Sequence, residues 1–162
     1  MRLSPFALAF LATALPLSAQ GIFIQVPAFS CATAAGSNAF PVLSWSFGVS
    51  LSSTGTPNFS SLSIKKNFDE CSGAFFRSSA AGQPIAAVTI TQTDKNRAPQ
   101  TIVQLTNATV TADTSGGSTG GSPIQELSFS YETICIANAA NNTKSCYDLT
   151  AANAKLRPQG RR

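Results

Sequence analysis

The chain has 162 residues, a formal net charge of +4 and only 11% charged residues, a size that suits one domain. It has no histidine, which excludes a Ser–His or Cys–His nucleophile pair and removes the commonest metal ligand. Lys155, Arg157, Arg161 and Arg162 carry much of the positive charge in the tail, so the body is nearly neutral and lacks the clustered Lys and Arg of a nucleic-acid face.

Residues 1–19 have the three parts of a secretory signal: Arg2, the apolar run Phe6–Leu15 and the small residue Ala19 at its end. Cleavage is expected between Ala19 and Gln20. The apolar run is well short of the ~20 residues that span a bilayer. No other segment is long or apolar enough, so the mature chain is expected to have no membrane span. The expected division is a signal peptide over 1–19, a β-domain over 20–150, and a basic, disordered tail over 151–162.

Gly21–Pro27 predicts a short apolar strand, followed by a long loop over Ala28–Pro41. Val42–Leu51 predicts the clearest strand. Leu43, Trp45, Phe47 and Val49 alternate with serines and Gly48, a period of two that assigns those four residues to the core. After a turn at Ser53–Asn58, Phe59–Lys66 alternates again, with Leu62 and Ile64 on one side and Lys65 on the other. A helix follows over Cys71–Ala81, with Asp69 as N-cap, Glu70 at the positive end of the dipole, Phe75 inward, and Gly82 as the C-terminal stop.

Ile85–Thr93 returns to strand with Val88 and Ile90 inward. Thr101–Ala112 is a strand whose apolar parity switches between Val103/Leu105 and Ala108/Val110, which predicts a bulge. The Gly/Ser-rich stretch Asp113–Pro123 reads as a flexible loop. Ile124–Ile136 is the last long strand, with Leu127, Phe129 and Tyr131 inward and a second parity change near Ile134. Cys146–Leu156 adds at most a weak strand. Short strands separated by turn signals predict a mainly β fold, a small two-sheet β-barrel of about six strands with one short helix at its side.

Four cysteines, Cys31, Cys71, Cys135 and Cys146, lie beyond the leader. An even number in an exported chain predicts disulfides. Of three possible pairings, Cys135–Cys146 closes a short loop and leaves Cys31–Cys71 as its complement. No CxxC motif occurs, which weakens both a zinc ribbon and a thioredoxin-like site.

Glu126 and Glu132 share a strand and would stand roughly 20 Å apart, too far for the ~5–9.5 Å of a glycosidase pair. Asp94, Asp113 and Asp148 are isolated in loops, which disfavours a calcium cage. The loop Gly116–Gly121 runs into Pro123 and a strand, whereas a phosphate loop must open into a helix. No catalytic residue, metal site or cofactor is expected.

Set in order, these segments resemble the Hcp (haemolysin-coregulated protein) family of type VI secretion. GIFIQVP is similar to the family's first strand and VLSWSFGVS to its second. LSIKKNFDECSGAFFRSSAAGQPI carries the third strand, the helix and its glycine, with Lys65 after the L-S-I segment. AAVTITQT resembles the fourth strand, and SGGSTGGSPIQELSFSYETI the Gly/Ser loop and last strand. The resemblance spans nearly all of the mature chain, and its specificity lies in the joint order.

It implies a non-enzymatic homohexamer, rings that stack into a hollow tube, and as partners the VgrG spike, the sheath and effectors carried in the lumen. Family contacts on edge strands and on the loop after strand one map here to Phe29–Phe40, Leu51–Phe59 and Gly116–Ser122. The leader and the cysteines depart from the family pattern. They support a second reading, a secreted, disulfide-stapled barrel acting alone as a binding or surface module.

Overall fold

The computed structural model describes residues 21–31 and 39–150. The expected signal peptide, its cut at Ala19/Gln20 and the basic tail lie outside the described residues. The strands are β1 (Ile22–Gln25), β2 (Ala39–Val42), β3 (Ser44–Ser46), β4 (Val49–Leu51), β5 (Pro57–Phe59) and β6 (Leu62–Asn67). Then come the helix α1 (Ser72–Ala81), β7 (Ile85–Thr93), β8 (Pro99–Gly116), β9 (Ile124–Ser130), β10 (Thr133–Asn138) and β11 (Thr143–Asp148).

Nine strands are hydrogen-bonded together, seven of them in a path in the order β2-β1-β7-β8-β9-β6-β3, with β10 branching from β8 and β11 pairing β10. The ladders fall into two sheets, β1, β2, β7, β10 and β11 with the first part of β8, and β3, β6 and β9 with its second part. The strands β4 and β5 pair only with each other. Among the described residues the fold is mainly β with one short helix, and ladders do not close it into a barrel. The path ends at β2 and β3, and both ends belong to a single run of chain, in which the Leu43 N–H donates to Lys65 O at 2.7 Å.

Three corners carry the chain from one sheet to the other. At the first, Leu43 stands between β2, which pairs β1, and β3, which pairs β6. At the second, β8 pairs β10 up to Thr106, β7 up to Ala108 and β9 from Thr109 onward. Asn107 at this corner has φ 50°, a left-handed conformation that asparagine tolerates better than most residues. At the third, Tyr131 and Glu132 separate β9 from β10. Each corner shifts the inward parity by one residue, as expected where a strand changes sheets through a bend or bulge.

These corners correct the sequence reading of Val42–Leu51. It is not one strand but β2, β3 and β4. Val42 is buried, while Leu43 is 52% and Val49 53% exposed; neither belongs to the core. Leu43 turns outward because the parity slips at the sheet switch, and Val49 lies in the separate β4–β5 pair. Trp45 and Phe47 are half-buried against the core, their rings stacked 6.1 Å apart. Two further boundaries differ. β8 extends through Asp113–Gly116, part of the expected loop, because those residues pair with β9. Ile124–Ile136 is two strands, broken at the third corner.

Within each sheet the alternation governs burial. Leu62 and Ile64 on β6, Val88 and Ile90 on β7, and Leu127 and Phe129 on β9 are all almost fully enclosed, each contributing roughly 1.5–3 kcal/mol by leaving water. Tyr131 closes one end of this core at 9% exposure. Phe75 of α1 is fully buried and meets Phe29 and Phe129 edge-on, with centroids 5.0 and 6.3 Å away.

The helix ends as expected at Gly82, whose φ of 61° lets its N–H reach Ser79 O. Its start differs from expectation. Cys71 occupies the N-cap position without a side-chain cap bond. Asp69 sits two residues upstream, where its carboxylate accepts from the Cys71 N–H at 2.9 Å and its own N–H donates to Ser72 Oγ at 2.9 Å.

Candidate assembly surface

The β4–β5 pair forms an arm with no ladder to the other nine described strands. Its turn is built from hydroxyl residues. The Ser52 N–H donates to Thr56 O, the Thr56 N–H to Ser52 Oγ, and Gly55 takes φ 77° while donating to Ser52 O. That left-handed position favours glycine. From Gly48 to Ser60 the arm has no charged residue. It presents Val49 at 53% and Leu51 at 73% exposure, apolar surface left uncovered among the described residues.

Three groups fix the arm's base. Gly48 and Ser60 are tied twice, through the Gly48 N–H to Ser60 Oγ at 2.7 Å and the Ser60 N–H to Gly48 O at 2.9 Å. The Tyr131 O–H donates to Ser60 O at 2.9 Å, and burial raises the Tyr131 phenol above its ordinary pKa. Phe59 packs on Tyr147 of β11, ring centroids 4.6 Å apart.

Beneath α1 lies a polar cluster that the sequence reading passed over. Lys66 is fully buried. Its ammonium pairs with Asp69 at 2.8 Å and donates to Asn67 O, Ser72 Oγ and, more distantly, Gln125 Oε1. The Gln125 amide in turn donates to Ser72 O and to Asp113 Oδ2. The signal was present: Lys66 continues the inward parity of Leu62 and Ile64, and Asp69 follows three residues later. Lys65, the residue singled out by resemblance, lies on the outer face and pairs with Glu126 at 2.8 Å. Both partners there are about half exposed, so the pair adds little to stability.

The four cysteines form two disulfides, Cys31–Cys71 and Cys135–Cys146, with Cα separations of 5.4 and 4.0 Å. The first ties the segment after β1 to the start of α1. The second joins register partners on β10 and β11. Cys71 is buried, whereas Cys146 is exposed and Cys135 half-buried.

A cavity of about 500 Å³ lies between the Ala28–Cys31 segment and α1, with Arg77, Ser78 and Gln83 on its wall. Its lining holds no carboxylate beside the Ser30 and Ser78 hydroxyls. Among the described residues no group of three or more Cys, Asp or Glu is placed to hold a metal, and no helix is long and apolar enough to cross a membrane. Glu126 is on β9 and Glu132 in the third corner. Asp94 caps its own turn by accepting from the Asn96 and Ala98 N–H groups.

The family model described as "Type VI secretion system effector, Hcp" matches residues 30–137, about two-thirds of the chain. The chain belongs to the Hcp family and is a non-enzymatic protein of the type VI secretion tube class. Hcp1 from Salmonella typhimurium superposes with a TM-score of 0.71 at 18% identity, over 82% of this chain and 97% of that one. A type VI secretion system effector from Yersinia pestis gives 0.69 at 18%, over 78% and 98%. The secreted protein Hcp3 from Pseudomonas aeruginosa gives 0.64 at 13%, over 80% and 98%. At these identities the structures speak to the fold. No curated protein matches the chain by sequence.

Proposed function

We propose that this protein is a ring-forming tube subunit that assembles as a homohexamer, its rings stacking head to tail. The family match over residues 30–137 carries the reading. The uncharged arm with Val49 and Leu51 exposed supports it, because apolar surface offered on a separate pair of strands favours association. The arm contains Leu51–Phe59, one of the segments to which the resemblance assigns subunit contacts, and Val49 lies just before it. The VgrG spike, the sheath and lumenal effectors are the partners this reading supplies. We further propose export through residues 1–19, leaving a mature chain from Gln20 in the periplasm or outside the cell.

The two disulfides favour a second reading, a stapled module working alone outside any tube, since disulfides persist in oxidising compartments. One experiment separates the two. The mature chain is purified with its disulfides intact, then examined by light scattering and by electron microscopy. Six-membered rings that Leu51→Asp disperses without unfolding support the tube subunit. A monomer at high concentration refutes it and leaves the stand-alone module. The N-terminus of protein recovered from the culture tests export, with Gln20 expected and an intact Met1 contradicting it.

A further inference from the structure

The chain has two tyrosines, and both hold the base of the arm. Tyr131 does so from the core corner, through its O–H to Ser60 O. Tyr147 does so from β11, through its ring on Phe59. The two supports differ in how firmly they are themselves held. Tyr131 follows β9, a strand paired on both sides by β6 and β8. Tyr147 is on β11, an edge strand paired only with β10. The Cys135–Cys146 disulfide crosslinks β10 to β11 one residue before Tyr147, and on the register it faces Gln104 of β8, on the outer side of the sheet. The inward neighbour Ile134 is buried.

We propose that the Cys135–Cys146 disulfide is a redox-sensitive latch: closed, it holds Tyr147 against Phe59 and fixes the arm; opened by a dithiol reductant, it frees β11 and loosens the arm. The chemistry balances within that pair of reactants. A thiolate of the dithiol attacks the exposed Cys146 sulfur, the Cys135 sulfur leaves and takes a proton, and a mixed disulfide forms. The second thiol of the reductant then displaces Cys146, so that two electrons and two protons pass to the cysteines and the reductant becomes a cyclic disulfide.

Access decides which bridge opens. Cys146 faces solvent and Cys135 is half-buried, whereas Cys71 at the start of α1 is fully enclosed and Cys31 is half-buried on the wall of the cavity, so Cys135–Cys146 offers the one sulfur of the four that lies on an exposed residue. The consequence falls on the arm because, among the described residues, the arm has no ladder to the body and is positioned by its base contacts. As a regulator of assembly the latch rests on the tube-subunit reading, but the latch itself is tested without any ring.

The experiment is hydrogen exchange with mass analysis on the mature protein, oxidised and after brief exposure to dithiothreitol with alkylation of the freed thiols. Alkylation is expected at Cys135 and Cys146 before Cys31 and Cys71. Exchange over Gly48–Ser60 and β11 is expected to rise at least about tenfold, with α1 and β7 unchanged. Tyr147→Ala, which keeps both disulfides, should raise exchange over Gly48–Ser60 in the same way. The proposal is overturned if Cys31–Cys71 opens first, if the arm exchanges equally in both redox states, or if Tyr147→Ala leaves the arm unaltered. Ring counts on the same samples address assembly separately. Rings absent in both states refute the tube reading while leaving the exchange result to decide the latch.

Discussion

Replacing Asp69 by alanine tests whether the cluster under α1 is held together by charge. Lys66 is fully buried and its ammonium has one carboxylate partner, Asp69, at 2.8 Å. Without Asp69 the ammonium keeps two neutral acceptors at 3.0 and 3.1 Å and a distant one at 3.4 Å, but no counter-charge. Breaking a buried pair from one side costs about 3–5 kcal/mol, and the Cys71 N–H loses its acceptor as well. The converse change, Lys66→Met, removes the buried charge and fills a similar volume. It leaves Asp69 with a carboxylate that is 17% exposed and therefore reached by water, and its expected cost is about 1–2 kcal/mol.

Urea unfolding with the disulfides intact measures both variants, and the double variant completes the cycle. Asp69→Ala should be the more damaging single change, and adding Lys66→Met to it should recover about 2 kcal/mol. An Asp69→Ala cost under ~1 kcal/mol, or a greater cost for Lys66→Met, would show that the cluster is held by hydrogen bonds and packing instead.

Three further outcomes follow from the same structure. Phe75→Ala should cost about 3–5 kcal/mol, since its fully buried ring fills the space between Phe29 and Phe129; urea titration checks this. Trp45→Ala should cost less, about 2 kcal/mol, because the ring is half-buried, and a loss matching that of Phe75→Ala would contradict its placement. Burial raises the Tyr131 phenol above its ordinary pKa, so the folded state holds that proton more tightly than the unfolded chain does. The resulting stability is complete below about pH 10 and is lost as the pH climbs through the folded-state value. Thermal unfolding across alkaline pH should show this decline. Tyr131→Phe should weaken it while costing about 1 kcal/mol at neutral pH, because Ser60 O loses its donor.

Much of this fold is legible along the chain wherever a strand stays in one sheet. The alternations at Leu62/Ile64, Val88/Ile90 and Leu127/Phe129 match buried faces, and the Gly82 stop is a local matter of backbone conformation. The parity changes after Leu105 and after Tyr131 signal real corners. The corner at Leu43 escapes notice because Leu43 opens an unbroken alternation through Leu51 and shares its parity with Trp45 and Phe47, which do pack on the core, so it reads as one of their buried face. Lys66 escapes for the opposite reason: its position is right for burial and its chemistry is wrong, until Asp69, Ser72 and Gln125 are brought round it.

The amino-acid sequence alone determines the fold class, the single helix and its end, the absence of histidine-based chemistry and the Hcp pattern, because each depends on residue type or on short-range periodicity. The tertiary structure decides which apolar residues face outward, which cysteines face solvent, and that both tyrosines meet at the base of one arm. Those outcomes depend on strands far apart in the chain turning their faces toward or away from a common core, and no local spacing encodes that choice.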